Sequence, residues 1–252
     1  MDISVISITA RKDPGLFRLV ESLRRQDFKG KFEFIFCDRL YDERHEEIEN
    51  VLKKSGLNYK YLADRIPIKG PSCAAARNQC VEAATGKYIL NVDDLCVVPS
   101  DTLSLHWNYY MEGFDAVAGS YEVFEGGDAP DSRRSGEYLV DDTTIHLQFW
   151  GLHVGFTKAV WEKVNGYNEI YDGVYGMEDI DFGMRLGKTD ASFRWAPEIR
   201  VMCDKGPSHV PLHTLYDIQN PETSWSSGDY CWRNDKLFNI WQAIGPIWGM
   251  RR

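Results

Sequence analysis

The chain has 252 residues, 43% of them hydrophobic and 27% charged, which is the make-up of a globular protein rather than a disordered or fibrous one. A formal net charge of −9 argues against nucleic acid or an anionic membrane as its principal partner, and no apolar run approaches the roughly 20 residues that span a bilayer. Six cysteines, at 37, 73, 80, 96, 203 and 231, form no CxxC pair, which excludes a zinc ribbon and points to a reducing, cytoplasmic setting; Met1-Asp2-Ile3 carries no basic leader.

Ile3–Thr9 is a β-branched run that predicts a buried first strand. In the loop that follows, Asp13 can cap a helix with Pro14 at its first position, and Leu16, Leu19, Val20 and Leu23 mark one helical face. Residues 32–36 predict a second strand, ending at Cys37-Asp38-Arg39, and residues 43–54 a charged helix with Ile48, Val51 and Leu52 inward. Residues 59–62 predict a third strand. After the Gly70-Pro71 turn comes an alanine-rich helix, stopped at Gly86, then a fourth strand over Tyr88–Val92. Strands that alternate with helices predict a largely parallel sheet, whose ligands sit at the carboxyl ends of the strands. Thr9, Asp38 and Asp93 all fall at such ends, where a nucleotide is expected.

The fourth strand runs into two adjacent carboxylates, Asp93 and Asp94. Two anions at the mouth of a buried strand repel each other and are costly to desolvate, and a hard divalent cation such as Mg²⁺ or Mn²⁺ relieves both costs. The plainer alternative is a strand-to-turn pair in which one carboxylate caps the next element. Further on, a helix is expected over 103–110, a strand over Ala116–Val123, and a long loop over 125–136. A short helix follows at 157–164, then an acidic helix over Glu178–Leu186 and strands at 193–195 and 199–203. Past Pro207 the pattern is irregular. Residues 183–189 mimic a phosphate loop but are one residue short and follow a helix, and no GxGxxG follows the first strand, so neither nucleotide fingerprint is present.

Ala74-Ala75-Ala76-Arg77-Asn78, Thr85-Gly86-Lys87-Tyr88-Ile89-Leu90 and Asp93-Asp94, taken in order, resemble the centre of the family-2 glycosyltransferases. The similarity extends upstream to Ser4-Val5-Ile6-Ser7-Ile8-Thr9 and downstream to Gly176-Met177-Glu178-Asp179-Ile180-Asp181-Phe182. The resemblance implies a single α/β domain with the GT-A fold, a Rossmann-like and mostly parallel central sheet flanked by helices. Its nucleotide-binding half would be 1–98, its acceptor-side half 99–205, with 206–252 a C-terminal extension packed on it. It implies a hexosyltransferase that moves a sugar, with inversion, from a nucleotide-sugar donor (a UDP-sugar first) to the hydroxyl of a glycan or other acceptor, assisted by Mn²⁺ or Mg²⁺.

By the same resemblance, Asp179 is the base that deprotonates the acceptor and Glu178 orients it. Arg77 and Asn78 lie near the nucleotide, Asp38 reads the base, and Asp93 contacts ribose. Asp94 is the direct metal ligand, and His209 or His213 completes the metal sphere. The pattern departs from the family where Leu95 replaces a third acidic residue and Cys37-Asp38-Arg39-Leu40 replaces Asp-Asp-Gly-Ser. These departures motivate the alternative of a nucleotide-sugar or glycan-binding module without catalysis. For 178–181 the plainer reading is acids that favour the helix dipole.

Overall fold

In the computed structural model the early alternation of strand and helix becomes a layered sheet. The strands are β1 (Ile3–Thr9), β2 (Phe32–Asp38), β3 (Tyr59–Ala63), β4 (Tyr88–Val92), β5 (Cys96–Val97), β6 (Ala116–Val123), β7 (His153–Thr157) and β8 (Phe193–Cys203). The helices are α1 (Leu16–Arg24), α2 (Tyr41–Ser55), α3 (Cys73–Ala83), α4 (Thr102–Met111), α5 (Lys158–Lys163) and α6 (Glu178–Leu186). The structure describes residues 1–11, 14–65, 70–123, 141–173 and 176–203. The expected Asp13 cap, the loop over 125–136 and the extension over 206–252 lie outside them.

One eight-stranded sheet runs in the order β3-β2-β1-β4-β7-β6-β8-β5. The first four strands are parallel, as the alternation predicts, and the register sets Thr9 opposite Asp38. The strands beyond β4 are mixed: β7 is antiparallel to β4 and β6, β8 is parallel to β6, and β5 is antiparallel to β8. Four of the seven pairings are parallel, so the mostly parallel sheet stands. The antiparallel pairings lie beyond β4, and hydrophobic periodicity, which locates a strand but not its direction, does not foretell them. The two strands expected at 193–195 and 199–203 are one. Ala196 pairs with Gly119 and Arg200 with Ser120, so residues 197–199 bulge out. Pro197 has no N–H to give the ladder, and its carbonyl accepts from the Ser120 hydroxyl at 2.8 Å.

Alternate residues of each strand serve opposite faces. Val5, Phe34, Phe36 and Leu90 pack with Leu19, Leu23, Leu52 and Leu103 of α1, α2 and α4. Ile6, Ile35 and Ile89 pack with Ala74, Cys80 and Val81 of α3, and with Trp161 and Phe182 of α5 and α6. Each large side chain so buried contributes about 1.5–3 kcal/mol. Behind β4 and β7 the core is polar along one line. Tyr88 Oη lies 3.0 Å from His106 Nδ1, and His106 Nε2 lies 3.0 Å from His153 Nε2, with both histidines fully buried.

Candidate active site

Asp93 and Asp94 follow β4 directly, and the peptide after the strand turns so that the two carboxylates differ sharply in exposure. The Asp94 side chain is 1% exposed and that of Asp93 31%. Thr9, at the end of the neighbouring β1, donates its hydroxyl to Asp94 Oδ2 at 2.6 Å. Arg11 Nε donates to Asp94 Oδ1 at 3.0 Å, and Arg11 Nη2 lies 3.6 Å from Asp93 Oδ1. Burial pushes the Asp94 carboxyl up, and the Arg11 charge offsets only part of this. Burial acts on Asp93 as well, but a hydrogen bond from Asp94 and the charges of Arg11 and Arg77 outweigh it and hold Asp93 low. Of the two acids, the sequence points to Asp94 as the cation's ligand; in the structure Asp93 is the open carboxylate and Asp94 the sunken one.

The other residues expected around the nucleotide divide. Asp38 is fully buried, and its carboxylate accepts from Arg44 Nε and Nη2 at 2.8 and 2.7 Å, Tyr61 Oη at 2.8 Å and Leu40 N at 2.8 Å. Both of its oxygens are spent inside the protein. Asn78 is also fully buried. It donates to the Tyr167 carbonyl and Glu169 Oε1, both at 2.9 Å, and accepts from Tyr167 N at 2.8 Å and Trp161 Nε1 at 3.3 Å. It fastens α3 to the 167–169 turn. Arg77, one residue earlier on α3, reaches the acceptor-side acids: Nη1 donates to Glu178 Oε1 at 2.5 Å, and the guanidinium lies 5.6 Å from the centre of the Tyr167 ring. A Cβ at position 151 would collide with that guanidinium, so a larger residue there would have to push Arg77 aside.

Glu178 and Asp179 open α6. The residue before them, Met177, has a left-handed backbone with φ 73°, which costs a side-chain-bearing residue about 1–2 kcal/mol. Glu178 is buried; burial raises its carboxyl above the usual range, the neighbouring Asp179 charge adds to this, and Arg77 offsets part of it. Asp179 is half-buried. It accepts from Gly151 N at 2.7 Å and from Ile180 N at 2.8 Å.

The two acidic groups meet at residues 151–152. Gly151 N binds Asp179, the Gly151 carbonyl accepts from the Asn91 amide, and Leu152 O accepts from Asp93 N at 3.0 Å. One short segment therefore holds the Asp179 carboxylate and the backbone of Asp93, with Arg77 against it. A second tie joins α3 to the acceptor half: Asp172 accepts from Ala74 N at 3.0 Å and Ala75 N at 3.1 Å, and Gly173 N donates to Pro71 O at 2.7 Å. Burial lifts Asp172 to about 7, against the pull of those amides.

The sequence reading did not single out Arg11, Arg44, Tyr61 or Asp172. Only Arg11 had a local signal, as a cation two residues past a strand end that carries a candidate ligand. His209 and His213 lie outside the described residues. Among the described residues no three His, Cys, Asp or Glu side chains gather as metal ligands. Even so, Oδ1 of Asp93 and Oδ1 of Asp94 converge on one positive group. That donor pair fits Mg²⁺ or Mn²⁺ held by two carboxylates, with phosphate oxygens and water completing the shell.

A parallel half with carboxylates at its strand ends, joined through β7 to a mixed half that carries an acidic helix start, defines the GT-A class of α/β fold. The model of "Glycosyl transferase family 2" matches residues 4–171, and that of "N-terminal domain of galactosyltransferase" matches residues 145–202. The chain belongs to glycosyl transferase family 2.

Among solved structures, S. aureus TarS 1-349 in complex with UDP-GlcNAc is 18% identical with a TM-score of 0.67; the match covers 87% of this chain and 66% of that one. The mannosyltransferase PcManGT from Pyrobaculum calidifontis, in complex with GDP-Man and Mn²⁺, is 16% identical with a TM-score of 0.65, covering 88% and 62%. At these identities the likeness establishes the fold, and the chain spans just under two thirds of either structure's length. No curated protein matches the sequence significantly. Among the described residues no helix is long and apolar enough to cross a membrane.

Proposed function

We propose that the chain is an inverting glycosyltransferase that moves a hexose from a nucleotide-sugar donor, a UDP-sugar first, to an acceptor hydroxyl. The observation that carries this reading is the 151–152 segment, which holds Asp179 and Asp93 from its two sides. Asp179 is the half-open acid of its pair and is aimed by two backbone amides, so it takes the proton of the acceptor hydroxyl. The freed oxygen pair forms the new bond to the anomeric carbon. The bond from that carbon to the phosphate oxygen breaks, and its electrons leave with the nucleoside diphosphate. A single displacement inverts the centre.

Mg²⁺ or Mn²⁺, which Asp93 and Asp94 would hold, would supply positive charge to the departing diphosphate. Glu178, buried and paired with Arg77, orients the acceptor side. Asp38 and Asn78 act as positioning residues, holding Arg44 and Tyr61 in one case and the 167–169 turn in the other.

The test is turnover of a panel of sugar nucleotides with proton NMR of the product. Inverted anomeric configuration supports the reading, and a retained configuration overturns it. Donor binding with neither transfer nor hydrolysis for any member of the panel would make the chain a binding module of the same fold.

A further inference from the structure

Arg11 sits where the cation is expected. Its Nε is 3.0 Å from Asp94 Oδ1 and its Nη2 3.6 Å from Asp93 Oδ1. Thr9 takes the other oxygen of Asp94, at 2.6 Å, so Arg11 faces the oxygens left available for an ion. Its backbone is tied to the same place, since Arg11 N donates to Thr9 Oγ1 at 3.1 Å. A guanidinium and a divalent cation repel each other and cannot both lie against one pair of oxygens. Arg11 belongs to the segment after β1 rather than to a helix, and its side chain is 15% exposed, so rotation about its own torsions can carry the guanidinium off the pair. A guanidinium released beside a diphosphate finds a planar, bidentate partner there.

We infer that Arg11 is an exchangeable counter-ion: it holds the Asp93–Asp94 pair in the ligand-free protein and yields it to a divalent cation when a nucleoside diphosphate arrives to take the guanidinium. This rests on the reading of 93–94 as the diphosphate end of the site. Cation and nucleotide are then bound as a linked pair, each weak without the other. The device keeps a buried acidic pair neutralised in the absence of donor and discriminates against free metal.

The experiment is calorimetric titration of Mn²⁺ alone, UDP with a chelator, and UDP with Mn²⁺, on the parent, Arg11→Gln and Arg11→Lys. Arg11→Gln should bind Mn²⁺ alone roughly tenfold tighter than the parent and UDP without metal roughly tenfold weaker, the size of one charge pair in a half-buried site. Arg11→Lys keeps the charge and should bind free Mn²⁺ as weakly as the parent. In the parent, UDP should raise Mn²⁺ affinity, and the gain should shrink in Arg11→Gln. If UDP still binds but Arg11→Gln takes up Mn²⁺ no more tightly than the parent, the exchange is wrong while the glycosyltransferase reading stands. If UDP binds the parent under neither condition, the nucleotide reading beneath it fails as well.

Discussion

At 93–94 and at 178–179 the molecule sets two neighbouring acids, one sunk and one open, against one arginine. The difference lies in what carries the arginine. Arg77 comes from the middle of α3, lies against Tyr167 and Glu178, and has Gly151 pressed on it. Arg11 comes from the segment after β1 and is secured through its own backbone to Thr9. A countercharge anchored in a helix is a permanent part of the fold, whereas one on a loop can be exchanged for a ligand's charge. On this view the acceptor side is preformed and the donor side is completed on binding.

The sharpest break would come at Asp179. Asp179→Asn should lower turnover by about 10²–10⁴-fold, the usual share of a general base, while UDP affinity and melting temperature stay at the parent's values. Turnover within a few-fold of the parent would remove Asp179 from that role. Next in size, Arg77→Met should destabilise by about 3–5 kcal/mol in urea unfolding, because it strands a buried carboxylate. Adding Glu178→Gln should recover part of the loss. A cost near that of a surface substitution would show that α3 holds no permanent countercharge.

A smaller effect separates the acids from the histidines behind them. Burial and the neighbouring His153 push His106 well below its ordinary range. Its contribution to stability is therefore present above the unfolded pKa of about 6.5 and is lost as pH falls below it. Asp172, raised to about 7, acts with the opposite sign: it stays protonated in the fold while an unfolded aspartate ionises, so it favours the fold as pH drops below 7. His106→Asn should keep the second response and lose the first. Its stability relative to the parent should rise by about 2 kcal/mol between pH 7 and pH 5, read from unfolding curves at each pH; parallel curves would mean that His106 does not titrate against the fold. Smallest of all, Met177→Gly should gain about 1 kcal/mol by relieving the left-handed backbone at the start of α6. A loss in thermal unfolding would mean that the Met177 side chain contributes more than its strain costs.

The acids themselves were legible in the sequence because each pair is contiguous and stands at an element boundary that local pattern reveals. Their partners were not. Arg11 and Asp94 are 83 residues apart, and Arg77 and Glu178 are 101 apart; no spacing rule joins them. Asn78 followed Arg77 in a recognisable pair, yet two of its partners lie 89 and 91 residues on, and burial turns it into a fastener. The parallel half was readable because a helix separates each of its strands from the next. The mixed half depends on pairings such as β4 with β7 and β6 with β8 that alternating hydrophobicity does not encode, and the two-residue β5 is too short to show a period.

The Asp172 tie has a mechanical consequence. Its carboxylate already occupies the first amides of α3, and the neighbouring peptide clips to Pro71. The first amides of that helix are thus taken by the protein's own carboxyl group, and an incoming diphosphate would draw its compensation from side-chain guanidinium or metal instead. Prising the acceptor half from the donor half would strip that carboxyl from both amides at once. Any movement of the two halves against each other along this seam therefore breaks three hydrogen bonds together.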